Sequence, residues 1–483
     1  MTISETKQAD KEWHGPCSQL MQNSFIFQAK IAEQVPRVIS GKGIRITVEN
    51  PKTGKVTEVI DGMTGAAVGA LGWGDPEVVE IINRAARNTF YSYPAVLGNE
   101  YSEELAKYYI SNSPPGAFAA ALWTGSGSES NENAMKIIRQ YHVEKGNFNK
   151  TKFISRKTSY HGFTLGALSI SSNARAHRFQ EILLPQDQCL KMEACYPYRN
   201  KADDETLEQY SARLLLGLEM MILKENPKTI GAVIVETLPG TSLGTSPPTP
   251  GYLLGIRKLC TKYDILFMLD EVMCGTGRAN PNGGLNCWEN YLAPGEGPDI
   301  QSVGKALGSG YVTIAGVLVS PKVRDVFING SGSILGSHTY SGHAFNCFVA
   351  LEIQKRVKKL KLTENIFKMG NYMGALLTEE LADAAIVGDI RGLGGFWSLE
   401  LVKNTQTKEY FPFSLDIAHR LQDKCFDNGL NIMGTQGCAN GFGDIILLAP
   451  AFIVTKDDVD AIVHIVVMSI RDLEHELVEE GNL

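Results

Sequence analysis

Six short runs in the middle of the chain are predominantly apolar without alternation, and each stops at a polar or glycine-rich turn: AAALW at 119–123, KFIS at 152–155, TIGAVIVE at 229–236, DILFMLDEV at 264–272, DIQSVGK at 299–305 and TIAGVLVS at 313–320. A strand with one wet face alternates polar and apolar residues, so runs that do not alternate need cover on both faces. Helix-length segments between the runs supply it, which predicts an α/β fold on a mostly parallel sheet. Upstream, residues 37–60 do alternate, around the turn Asn50-Pro51-Lys52-Thr53-Gly54, and predict an antiparallel hairpin. Helices are predicted over 76–88 and 100–112. Beyond 345 helical periodicity dominates, as in FVALEIQKRVKKL and DVDAIVHIVVMSIRDLEHELVEE, broken by the strand-like FWSLELV and DIILLAP. The expected division is a large domain over 85–340 and a small domain assembled from 1–84 and 341–483.

Ligands of such sheets gather beyond the carboxyl ends of the strands, and three clusters fall there. Thr124 to Asn133, with the glycines Gly125 and Gly127, joins the AAALW run to a helix whose apolar face carries Ala134, Ile137, Ile138 and Tyr141. Ser126 and Glu129 have the spacing of a capping box, and small residues at a helix start let N–H groups surround an anion. A phosphate cradle and an ordinary capped turn both fit. The cluster is neither a Walker A loop nor G-x-G-x-x-G. Asp270 closes DILFMLDEV, where a buried carboxylate needs a cation or a protonated nitrogen; a plain helix cap or a pair with Arg278 is the structural alternative. Lys305 follows an apolar strand into glycine-rich surroundings, where desolvation lowers an amine's pKa and readies it for a Schiff base. A phosphate cradle, a strand-end carboxylate and a strand-end lysine together describe a site for pyridoxal phosphate.

Composition narrows the partners. The chain of 483 residues has 46 Lys and Arg against 53 Asp and Glu, a formal charge of −7, which lacks the basic footprint of nucleic-acid binding. No apolar stretch is long enough to span a membrane, and the first twenty residues are too polar for a signal or transit peptide, so a soluble, cytoplasmic protein is expected. The nine cysteines are scattered without a C-x-x-C pair, which suggests reduced thiols and no metal site.

At SGSESNENA (126–134), YHG (160–162), Glu236, DEVMCGTGR (270–278), GKALGSGY (304–311), HTYSGH (338–343) and RGLGG (391–395) the sequence resembles the class III aminotransferases, pyridoxal-phosphate enzymes of fold type I that include amine transaminases. The resemblance implies a mixed, mostly parallel seven-stranded sheet in the large domain and a smaller α+β domain. It implies that Lys305 carries the cofactor as a Schiff base, that Asp270 bonds the pyridine nitrogen and that Tyr160 stacks on the ring. Ser126, Gly127 and Ser128 would hold the phosphate. Thr339 would reach the phosphate of the neighbouring subunit, making the site a property of a homodimer, with tetramers open. Val272 would pack on the ring's other face, with a plain core valine as the alternative. His161 would be an accessory group or a satisfied core histidine. Glu236 sits where the family usually has Glu-Pro, and Thr237 departs from that. Arg391 is read as structural.

Other departures bear on substrate. Phe163 stands where relatives acting on dicarboxylates often carry an arginine after the Tyr-His-Gly motif. Gly434 falls about where many members place an arginine for the α-carboxylate, and residues 421–470 contain none. Ala66 and Ala67 occupy positions that are often bulky and aromatic. The expectation is a wide apolar pocket around Ala67, Phe163 and Gly434, and transfer of an amino group from a bulky, lipophilic amine to a keto acid such as pyruvate. Arg45 or Arg175 could replace the missing clamp. Another pyridoxal-phosphate reaction (racemase or epimerase, mutase, decarboxylase or phospholyase) and an inactive scaffold remain as alternatives.

Overall fold

The computed structural model describes residue 27 and residues 34–336, 338–439 and 442–483. Cys17 and the side chains of Arg175 and Cys438 lie outside the described residues.

Seven strands form one sheet in the spatial order Ala120–Thr124, Ala315–Val319, Ile300–Val303, Leu266–Asp270, Ile230–Glu236, Lys152–Arg156, Cys189–Met192. Ala315–Val319 runs antiparallel to both neighbours, and the remaining pairs are parallel. Six of these strands are the predicted apolar runs. The seventh, CLKM, is four residues long and too short to show a period.

Every residue of Ile230–Glu236 and Leu266–Asp270 is buried, as runs without alternation require. Ile234, Met268 and Val317 pack with Ile137, Ile138 and Tyr141 of the helix Gly127–Glu144. Val233, Phe267 and Leu269 pack instead with Leu218 of the helix Leu207–Lys224 and Ile256 of Tyr252–Lys262. Each such aliphatic or aromatic side chain contributes about 1.5–3 kcal/mol on burial, so the sheet is clamped between two apolar layers.

A reversed strand beside Ala120–Thr124 leaves that strand pointing the same way as the parallel set. Thr124, Arg156, Glu236, Asp270 and Val303 therefore all end at one edge of the sheet.

The alternating segment 37–60 forms three strands rather than one hairpin: Arg37–Lys42, Arg45–Glu49 and Val56–Asp61. The extra turn falls at Gly43, whose φ of +59° suits glycine. Leu430–Asn431 adds to the third strand in parallel. A further antiparallel sheet, Val387–Leu393, Phe396–Leu401, Phe442–Leu448 and Met433–Ala439, shares a core with the helices Leu362–Glu380, Ile417–Asp427 and Lys456–Glu479. The predicted helices lie at Pro76–Asn88 and Glu100–Ser111, N-capped by Asp75 and Asn99. Among the described residues no helix is long and apolar enough to cross a membrane, and seven cysteines are buried and unpaired.

Candidate active site

Lys305 begins a short turn two residues after Ile300–Val303 and holds φ at +47°, a left-handed conformation that costs a residue with a Cβ of order 1–3 kcal/mol. Its neighbour Gly304 is hemmed in, because a Cβ there would lie 3.2 Å from Ala315 Cβ and 3.3 Å from Val272 Cγ1. The geometry thus delivers the lysine to the carboxyl edge through a passage that admits little more than backbone. Burial pushes the Lys305 amine down to about 8, against the opposing pull of Asp270.

Asp270 ends its strand at the same edge. Oδ1 accepts from Val272 N at 3.0 Å, and Oδ2 accepts from Asn131 Nδ2 at 2.8 Å and lies 2.9 Å from His161 Nδ1. Burial alone would raise this carboxyl, but His161, the Val272 N–H and Asn131 outweigh it and hold Asp270 below the usual range. Arg278 is not its partner: that buried guanidinium donates to the carbonyls of Gly395, Pro450, Ala67 and Gly69. His161 is therefore tied to Asp270; of the structural alternatives the pair with Arg278 is absent, while the bond from Val272 N is of the capping kind.

The helix Gly127–Glu144 starts directly beyond Thr124 and turns its positive end toward the same edge. Ser126 caps it, Oγ accepting from Glu129 N at 3.2 Å. Only half of the expected capping box forms, because Glu129 Oε2 reaches back to Gly125 N at 2.8 Å instead of to Ser126. At Gly127 a Cβ would meet Val272 Cγ1 at 2.7 Å, so only glycine lets the helix start approach the wall this closely.

These groups surround a cavity of about 260 Å³ whose lining includes Gly127, Ser128, Tyr160, His161, Glu236, Asp270, Val272 and Lys305. Ser126 stands behind it as the cap. Three side chains of the lining, Asn131, His161 and Glu236, each carry a buried polar atom without a hydrogen-bond partner: Oδ1, Nε2 and Oε2. Buried polar atoms are rarely left so, and three around one cavity fit a polar ring and its substituents better than an empty core. The remaining lining is apolar or small, with Ala66, Leu238, Gly240, Met273 and Met433 beside Thr241.

Sequence reasoning passed over Asn131 and Arg156. Asn131 lies one helical turn beyond Gly127, a spacing that puts both on one face. Arg156 ends its strand at the active edge; its Nη2 donates to Glu236 O at 2.8 Å and sits 3.6 Å from Glu236 Oε2. Burial raises the Glu236 carboxyl, with His161 and Arg156 opposing.

Thr237 now has a reason. Its Oγ1 donates to Glu271 Oε1 at 2.8 Å, joining Cys287 N, Trp288 N and Gln301 Nε2 on that carboxylate. Proline could not do this. Glu271, pushed up to about 8 by burial, ties the strand end to the turn at 287–288. Cys274 and Cys287 lie close to it, but its oxygens are already occupied by these donors.

Three substrate-side expectations need correction. Ala67 is fully buried in an apolar cluster with Met63 and Leu238, and Ala66 is the residue at the cavity. Phe163 is half exposed and packs edge-on against Phe179, 5.6 Å between centroids, outside the lining. Gly434 faces away: a Cβ there would lie 2.4 Å from Ala418 O, while its neighbour Met433 lines the cavity. A strand alternates faces, so an arginine at 434 would meet the helix Ile417–Asp427 and not a substrate. Arg45 is no clamp in this chain either, since it pairs with Glu58 at the surface. Thr339 is exposed, its carbonyl accepting from Tyr91 Oη at 3.0 Å, and lies outside the cavity of its own chain.

The family model for "Aminotransferase class-III" matches residues 35–470. The chain belongs to the class III aminotransferases. An aminotransferase of Gibberella zeae is 37% identical over 430 residues, 88% of this chain and 82% of its own length. A vanillin aminotransferase of Capsicum chinense is 32% identical over 425 residues, 87% and 89% of the two chains. Among solved structures, the omega transaminase of Pseudomonas jessenii in complex with PMP superposes with a TM-score of 0.82 at 30% identity, covering 91% of this chain and 92% of that one. The fold is that of the type I pyridoxal-phosphate transaminases, and membership of the class implies pyridoxal phosphate as cofactor.

Proposed function

We propose that this class III aminotransferase moves an amino group from a bulky, lipophilic amine to a keto acid such as pyruvate, with Lys305 holding pyridoxal phosphate covalently. Pyridoxal phosphate, when bound, supplies a ring that accepts the electron pair left at the substrate carbon. Asp270, kept ionised by His161 and Asn131, would hold a proton on the ring nitrogen. Lys305 Nζ, whose burial favours the neutral amine, would take the proton from the substrate carbon and return it on the other side of the transfer. Gly127 and Ser128 would bear the phosphate at the positive end of their helix. Tyr160 and Val272 would flank the ring, and Glu236, steadied by Arg156, would close the edge beside it.

The substrate reading rests on one observation: among the described residues the cavity lining offers no arginine, and beside the polar groups assigned to the cofactor it is small or apolar, with Ala66, Leu238, Met273 and Met433 next to Thr241. A carboxylate donor would find Glu236 in the wall and no guanidinium to grip it. Relatives are divided, since plant γ-aminobutyrate transaminases are 33% identical to this chain, but two of the matches are compatible with a lipophilic amine. One is named a vanillin aminotransferase, and a solved variant of a thermostable omega transaminase in which a tryptophan was replaced by glycine was engineered for the synthesis of bulky amines. We also propose that two copies form a dimer in which Thr339 of each completes the other's phosphate site, and that the small domain comprises 1–84 with 341–483.

The test is the absorbance of the holoenzyme after addition of amines without acceptor. Conversion of the cofactor band by bulky monoamines, reversed by pyruvate, is expected. Binding without conversion points to racemase or decarboxylase chemistry and overturns the reaction. Turnover of γ-aminobutyrate or ornithine with rejection of bulky monoamines overturns the substrate class.

A further inference from the structure

Beside the Lys305 cavity lies a small annex of about 50 Å³ that shares Tyr160 and Thr241 with it. Its other lining includes Asn173, Ser242, Thr435 and Gln436, all polar and none ionisable. On this measure about 10–15 Å³ holds one water, so the annex admits a few heavy atoms, enough for a hydroxymethyl group. Most donors of this wall are already used. Thr435 Oγ1 donates to Thr241 O at 3.4 Å, Gln436 Nε2 to Phe413 O at 2.7 Å and Asn173 Nδ2 to Ser159 O at 3.2 Å. Ser242 is the exception: it is 97% buried, and its Oγ has no hydrogen-bond partner.

The serine also sits on a loop that cannot easily rearrange to satisfy it. Arg391 Nε and Nη2 donate to Gly244 O and Leu243 O, both at 2.8 Å, and Thr245 Oγ1 donates to Arg391 O at 2.8 Å. Asp389 and Glu400 neutralise that guanidinium, each at 2.7 Å. The charge is thus spent on pinning the loop, and a serine whose uncharged hydroxyl is buried and unpaired stands in the wall of a small polar space. A buried hydroxyl left unpaired is costly, so the annex favours a ligand that both donates and accepts one hydrogen bond.

From this arrangement we infer that the annex is a subsite for a neutral hydroxyl group on the amine, read by Ser242, so that the preferred donors are amino alcohols. The inference deepens the transaminase reading and rests on it for the identity of the reacting amine. A carboxylate is disfavoured here, since no cation lines the annex among the described residues.

The experiment gives the holoenzyme matched primary amines of equal length ending in methyl, hydroxymethyl or carboxylate. The first half-reaction is followed by cofactor absorbance, and dissociation constants are measured alongside by calorimetry. The hydroxyl-bearing amine is expected to lead the methyl analogue by about tenfold or more in kcat/KM and in affinity. Ser242→Ala should collapse that ratio toward one, and Ser242→Thr, which keeps the hydroxyl, should restore most of it. A ratio that S242A leaves untouched, or a carboxylate preferred to the hydroxyl, overturns the subsite. If no amine converts the cofactor, the transaminase reading fails by itself. The calorimetric ratio then decides: a hydroxyl preference lost in S242A supports the annex, and equal binding of the methyl and hydroxyl amines refutes it.

Discussion

At the scale of single residues the site stores cost. Lys305 is buried and left-handed, with its amine pushed from 10.5 down to about 8. In the cofactor-free protein the unfolded chain therefore binds more protons than the native one between those pH values, and stability rises with pH across that window. Below about pH 8 the penalty is fully present. Lys305→Met removes it, so the cofactor-free variant should be more stable than the parent at pH 7, the gap closing as pH approaches 10.5; urea unfolding across that range reads it. A gap independent of pH would mean that the lysine is not desolvated as described. Thr237 works in the opposite sense, adding a hydrogen bond to the buried carboxyl of Glu271. Because Glu271 is mostly protonated at neutral pH, Thr237→Val should cost about 0.5–1.5 kcal/mol there, the worth of a neutral hydrogen bond. Thr237→Ser should recover most of it, in the same unfolding measurement.

At the scale of elements, what the sequence disclosed depended on how strongly an element's surroundings constrain it. Strands buried on both faces cannot hide, and Lys305 and Asp270 were legible because each closes or follows such a run at the edge where ligands bind. CLKM was not legible, being short and placed at the sheet's rim. The strand Met433–Ala439 shows a different failure: MGTQGCA has no apolar alternation, so nothing in it reveals which residues face inward, and a slip of one position exchanges the faces. That slip put Gly434 in the pocket and overlooked Met433. Asn131 and Arg156 needed a partner to be recognised, since their role comes from what Asp270 and Glu236 bring near. The strand's register yields a direct prediction. Gly434→Arg should destabilise the fold, because its Cβ already meets Ala418 O, and should not improve use of amino acids. Met433→Arg should put a guanidinium into the cavity and shift kcat/KM toward donors with a carboxylate by about tenfold or more. The ratio of alanine to a bulky monoamine in the half-reaction measures both.

At the scale of the whole molecule, the surface nearest Thr339 is rich in exposed apolar side chains. Phe90, Val96 and Leu335 are 81%, 76% and 71% exposed, and Tyr91 and Tyr340 stack edge-on at 5.9 Å beside them. Apolar groups gathered in this way on one face mark a contact surface, and the groove between Pro94, Ala95 and Ile334 runs through the same region. Thr339, tied to Tyr91 through its carbonyl, stands at this face and not in its own chain's cavity, so a shared site requires the face to be covered by a second copy. The chain's mass is 52.8 kDa. Sedimentation should therefore give twice that value for the parent and the monomer value for a variant carrying Val96→Asp and Leu97→Asp, two exposed loop positions whose substitution leaves the core intact. The monomer should also lose cofactor affinity by about tenfold or more, the scale of a lost charge-assisted contact to phosphate. Thr339→Ala should lower that affinity while leaving the dimer in place. A monomeric variant that keeps the parent's cofactor affinity would show that one chain completes the phosphate site alone, and Thr339 would then have no part in it.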